Sequence, residues 1–141
     1  MLARILKRVP DDKCVLVDWT SLDRHWFSGQ IRPPDRAALF DKYLWLWFKG
    51  QGDALWFEVP EVGWDSAAET ISFTNGRNRT ALITKHQRYV PVALEGDESE
   101  WGPVRGAVVR PLEDGDLVIL PDLPILSSDE WDRCMRGEAE W

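Results

Sequence analysis

A chain of 141 residues, 44% hydrophobic and 29% charged, can bury one core without disulfides or metals, which excludes a disordered protein and a disulfide framework. Its net charge of −7 and pI near 4.8 repel polyphosphate at long range, so whole-surface DNA binding is excluded and any basic site must be local. Met1 to Pro10 is too short and too interrupted by charge for a secretory core or a membrane span, so the expectation is one cytoplasmic domain over residues 1–141, without membrane insertion.

In chain order, Lys13 to Trp19 is a valine-rich apolar run that predicts a buried strand, and Ser21 to Phe27 predicts one or two helical turns ending at Gly29. Pro33-Pro34-Asp35 suits a helix start, since proline is tolerated in the first turn and an early acid complements the macrodipole. Tyr43 to Phe48 fits a strand as well as a helix, and the expectation is a helix ending near Phe48. Ala54 to Val59 predicts a strand stopped by Pro60, and Glu61 to Glu69 a loop containing Gly63 and Ser66.

Ile71 to Thr74 alternates as a half-buried strand does, Asn75-Gly76 makes a turn, and Asn78 to Gln87 predicts a helix. Tyr89 to Leu94 follows as a strand, with Pro91 placing it at an edge or at its start; this strand–helix–strand order suggests a right-handed βαβ crossover. Glu95 to Glu100 reads as an acidic loop, Arg105 to Arg110 as a short strand, and Asp114-Gly115 as a turn before a strand from Asp116 to Leu120. Ser127 to Glu130 is a capping-box pattern opening a final helix through Met135, with Gly137 as its stop. The elements together predict an α+β class with a small mixed sheet, a strand–turn–helix motif and packed helices.

Nine tryptophans each carry a large surface and an N–H that needs a partner, which suits core packing first and partner-binding surface second. Cys14 and Cys134 are far apart, sit in no Cys-x-x-Cys motif and read as reduced thiols; no zinc spacing exists and no metal is expected. His25 and His86 lack metal-site companions, and His86 suits a helix C-terminus, where a cation is favoured. Glu95, Asp97, Glu98 and Glu100 read as a solvated acidic cluster, and Trp131, Cys134 and Met135 as a packing face.

The candidate site is the turn Asn75-Gly76-Arg77-Asn78-Arg79-Thr80. A helix N-terminus already presents unpaired N–H groups and partial positive charge, so two arginines in its first turn call for a compensating anion. Gly76 allows close backbone approach or a positive φ, Asn75 can cap, and Thr80 adds a hydroxyl donor. Either a bound phosphate or the chain's own Glu61, Asp65 or Glu69 would serve as the anion, since arginine forks suit carboxylates as well as phosphates. No catalytic residue can be assigned from spacing.

The run from Ile71 to Thr80, reading Ile-Ser-Phe-Thr-Asn-Gly-Arg-Asn-Arg-Thr, followed by a short helix and Tyr89-Val-Pro-Val-Ala93, resembles the ParB/sulfiredoxin superfamily over about 25 residues. Phe73 to Arg79 is similar, more narrowly, to the plasmid fertility inhibition factors of that superfamily, the Osa-like group, and Glu58-Val59-Pro60 matches the proline-containing segment before the motif. The resemblance implies a ParB/sulfiredoxin-like fold. It also implies nucleotide-phosphate binding at Gly76, Arg77 and Arg79, with ATP, another nucleotide or a DNA strand as the phosphate source. Asn78 stands where many members have histidine, which removes one acid–base candidate, and Arg77 occupies the place of sulfiredoxin's cysteine, which argues against sulfiredoxin chemistry. No room is evident for the helix-turn-helix domain of partition proteins. ATPase or DNase activity is left open by the resemblance. The implied role is a fertility inhibition factor that acts on the coupling step of the conjugation (type IV secretion) machinery in a bacterial donor. The alternative is a non-catalytic acidic inhibitor or immunity protein that occludes a partner protein.

Overall fold

The computed structural model describes residues 1–26, 48–51 and 54–122, with Arg133, Arg136 and Gly137. The described residues are α+β, with few helices and two sheets. Its strands are β1 (Leu2–Leu6), β2 (Lys13–Asp18), β3 (Phe48–Gln51), β4 (Ala54–Glu58), β5 (Glu61–Asp65), β6 (Thr70–Asn75), β7 (Tyr89–Leu94), β8 (Val108–Leu112) and β9 (Leu117–Ile119). The helices among the described residues are α1 (Arg77–Thr84) and α2 (Val104–Ala107), and short 3-10 turns cover Trp19–Ser21, Asp23–His25 and Glu98–Glu100.

One sheet has the order β3-β4-β1-β9 and the other β6-β5-β7-β2-β8. In the first, β1 runs parallel to β4 and antiparallel to β9, and its period-two pattern buries Ala3 and Ile5 while Leu2 faces out. In the second, β7 is central: it pairs antiparallel with β2 along its whole length and parallel with β5 at Ala93 and Leu94. Val90, Val92, Ala93 and Leu94 are all buried, as expected of a strand covered on both faces. Buried side chains from both sheets, with Ala81 and Ile83 of α1, form one core.

The chain passes from one sheet to the other at Val59-Pro60, and that corner is stitched to both. Val59 N–H donates to the Leu6 carbonyl (3.1 Å), extending the β1 side, and the Pro60 carbonyl accepts from Ala93 N–H (2.8 Å) on β7. Proline has no N–H to give, so it ends β4 while its carbonyl still joins the next sheet.

Several expectations change. Glu61 to Glu69 is not all loop: Glu61–Asp65 is strand β5, hairpinned to β6, and Gly63 sits where a side chain would meet the Ser72 hydroxyl and the Glu95 carboxylate. The βαβ unit is also different. Because β6 is antiparallel to β5 and β5 is parallel to β7, the parallel pair is β5 and β7, with β6 and α1 together forming the connection. Pro91 lies in a central strand rather than at an edge, tolerated because β5 pairs with β7 only at its C-terminal end. Phe48 begins a strand instead of ending a helix. Val104–Ala107 is a helical turn, so only Val108 onward is strand in the Arg105 to Arg110 region. The helix expected from Pro33, the one from Ser127 and Trp131, Cys134 and Met135 fall outside the described residues.

Of the five described tryptophans three are buried as the packing expectation has it, while Trp56 and Trp64 are half-buried. Trp19, Trp26 and Trp101 are buried; Trp19 and Trp26 meet edge to face at 5.0 Å, with the Phe73 ring tilted against both. Cys14 is buried and unbridged, and burial pushes its thiol up to about 12, well away from a reactive thiolate.

Candidate functional site

Asn75 closes β6, and Gly76 opens α1 with φ +90°, a left-handed conformation that glycine adopts without the penalty a side chain brings. A second constraint acts at the same place, since a Cβ on Gly76 would come within 2.6 Å of the Pro60 Cα and Cβ. Gly76 therefore lets the turn press against the corner between the sheets. It is also the N-cap, so Asn75 does not take the capping role expected of it, and no side chain caps the helix. The first-turn N–H groups consequently receive no side-chain acceptor from the cap.

The two arginines of the turn part company. Arg77 is the first helical residue and is exposed. Arg79 is 2% exposed, and its guanidinium folds back beside Gly76. One terminal nitrogen donates to the Glu58 carbonyl at 2.6 Å, and the Glu58 carboxylate lies 3.9 Å from the same nitrogen. Arg79 thus holds the last carbonyl of β4, one residue before the corner that Gly76 touches. Burial pulls its pKa down, while the Glu58 and Glu61 carboxylates push it back up. Thr80 is fully buried, and its hydroxyl donates to the Gly76 carbonyl (2.9 Å), the acceptor that its own N–H uses at 3.0 Å. Its hydroxyl works within the helix rather than toward solvent.

Facing the turn, Glu61 is in register with Asn75 on one side and with Ala93 on the other. Its side chain is buried, and burial raises its pKa; Arg8 opposes that rise, while Asp12, Glu95 and Glu58 add to it. Glu61 Oε2 and Arg79 Nε each lack a hydrogen-bond partner among the described residues. The chain's own carboxylates, Glu58 and Glu61, therefore compensate the buried arginine, whereas Arg77 is left to solvent. Sequence reading named Glu61 among the compensating acids but not Glu58, whose part depends on a strand end being brought across to α1.

Elsewhere, Glu98–Glu100 is a turn with a reciprocal capping box between Asp97 and Glu100, so the acidic segment is a folded feature with its acids exposed. Among the described residues no group of three His, Cys, Asp or Glu side chains is placed to hold a metal ion, and no described helix is long and apolar enough to cross a membrane. His25 packs edge-on to Trp64 at 5.6 Å, and His86 is exposed just beyond the end of α1. Comparison with known proteins found no matching family model, no similar curated protein and no similar solved structure.

Proposed function

We infer that the Gly76 turn is a phosphate-binding site, and that the chain is a fertility inhibition factor of ParB/sulfiredoxin type acting on the conjugation coupling machinery. The observation that carries this reading is the exposed Arg77 in the first turn of a helix that has no side-chain cap, on a turn held rigid by Gly76 against Pro60 and by Arg79 against Glu58. Exposed guanidinium, first-turn N–H groups without a side-chain cap and macrodipole point the same way electrostatically, and a phosphate of ATP, another nucleotide or a DNA strand satisfies all three. In this reading Arg77 grips the anion and Arg79 is a positioning residue that holds the turn. The role is tested by conjugation frequency from donor cells expressing the chain. Suppression by wild type that Arg77→Ala relieves at equal protein level supports the reading; wild type without effect on transfer sinks the fertility-inhibition role.

The second reading, an acidic inhibitor that occludes a partner protein, is supported by the ordered, exposed acids Asp97, Glu98 and Glu100. It would leave transfer suppression intact in Arg77→Ala and lose it when these acids are neutralised.

A further inference from the structure

β9 is the outer strand of its sheet, yet it carries large apolar side chains into solvent: Leu117 is 50% and Ile119 71% exposed. Leu2 of β1, 62% exposed, and the half-exposed Tyr89 of β7 lie in the same cleft, whose floor includes Leu16 and whose volume is about 520 Å³. Grouped exposure of this kind is unusual for a surface with no partner, where apolar side chains are generally scattered singly.

The polar lining identifies the kind of partner. Arg88 and Arg110 border the cleft and no carboxylate lines it among the described residues, on a chain whose net charge is −7. Arg88 is engaged with Asp18 at 2.6 Å, while Arg110 is exposed and makes no ion pair among the described residues. Addition of a strand to β9 is disfavoured, because Gln87 already donates its side-chain amide to the Ile119 carbonyl (3.0 Å) as well as to Tyr89 (2.7 Å). The cleft is suited to side chains entering from above, as when an amphipathic segment lays its apolar face into a groove.

We propose that this cleft docks a short segment of a partner protein in which apolar residues are flanked by carboxylates. A second copy of the chain would bring its whole negative charge, and an anionic bilayer an extended negative surface, whereas a short acidic segment brings a few charges to the side of Arg110, within the screening distance of about 8 Å. The proposal rests on neither the Gly76 turn nor the acidic loop, and Arg77→Ala leaves it untouched.

The test uses the full chain and two fluorescent peptides with the same Leu and Ile residues at helical spacing, one flanked by Glu and the other by Lys, read by anisotropy. The Glu-flanked peptide is expected to bind tighter by about tenfold or more. Arg110→Glu, at an exposed position, is expected to reverse that preference with the unfolding midpoint unchanged, and Ile119→Ser to weaken both peptides. Absence of binding, equal binding of the two peptides, or a preference that survives Arg110→Glu would overturn the proposal. So would self-association in sedimentation that Ile119→Ser abolishes, which makes the cleft a seat for a second copy. Binding to phosphatidylserine vesicles that Ile119→Ser abolishes, in place of peptide binding, would overturn it in favour of a lipid surface.

Discussion

Two arginine–carboxylate contacts lie at opposite extremes of this molecule. Arg88 reaches Asp18 with two nitrogens, at 2.9 and 2.6 Å, both donating to the same carboxylate oxygen, but its side chain is mostly exposed. Arg79 approaches Glu58 less ideally, at 3.9 Å from the carboxylate, but is buried and fastens a backbone carbonyl at the corner between the sheets. Geometry alone would rank the first above the second. Burial reverses the order, because an exposed pair trades one set of water contacts for another, whereas removing one member of a buried set leaves the rest uncompensated.

The largest expected effect follows from that reversal. Arg79→Ala leaves the Glu58 carbonyl without this donor and the Glu58 carboxylate without its buried cation, and is expected to cost about 3 kcal/mol or more of unfolding free energy in urea titration. A cost no larger than that of a surface substitution would show that the corner does not depend on the guanidinium.

Glu61 sharpens the contrast through pH. Burial raises its pKa above the ordinary value of 4.5, so the folded state binds a proton there more readily than the unfolded chain does. Its contribution to stability is fully present below the ordinary value and is lost as pH rises through the folded-state pKa. Glu61→Gln, which cannot ionise, is expected to flatten that part of the stability–pH profile and to match or exceed wild-type stability at neutral pH. An unaltered profile would mean that Arg8 neutralises Glu61 fully.

The smallest effect is expected at the surface pair. The side-chain hydrogen bond from Arg88 lowers the Asp18 pKa to about 2, so the pair's contribution is present above the ordinary carboxylate pKa of 3.8 and is lost as pH falls below it through the folded-state pKa. Arg88→Ala is expected to change the neutral-pH midpoint only slightly, and added salt to erase the difference. A loss comparable to that of Arg79→Ala would remove the distinction drawn between the two contacts.

Periodicity carried much of this fold. Val15 and Val17 in β2, Ile71 in β6 and Val90 and Val92 in β7 announce their strands, and Asn75-Gly76 announces the turn before α1. β1 was missed because charge at Arg4 was read as an interruption, although Ala3 and Ile5 alternate with it as a half-buried strand requires. β5 was hidden by Gly63, a turn-former in local terms that is used here for the close approach of Ser72 and Glu95. The division of labour between Arg77 and Arg79 could not be read locally, since both stand in one helical turn and only the placement of Pro60 and Glu58 from another sheet decides which is buried. The same holds for the cleft at β9, where Leu2, Tyr89 and Ile119 come from three separate stretches of chain.

The central claim, that the turn binds a phosphate through Arg77 on a platform held by Arg79, is tested most directly by calorimetric titration of ATP and of a short single-stranded oligonucleotide at low salt. Wild type is expected to bind at least one of them, and Arg77→Ala to lose about tenfold or more in affinity with an unchanged unfolding midpoint. No heat from wild type with either ligand, or equal binding by Arg77→Ala, would contradict the claim.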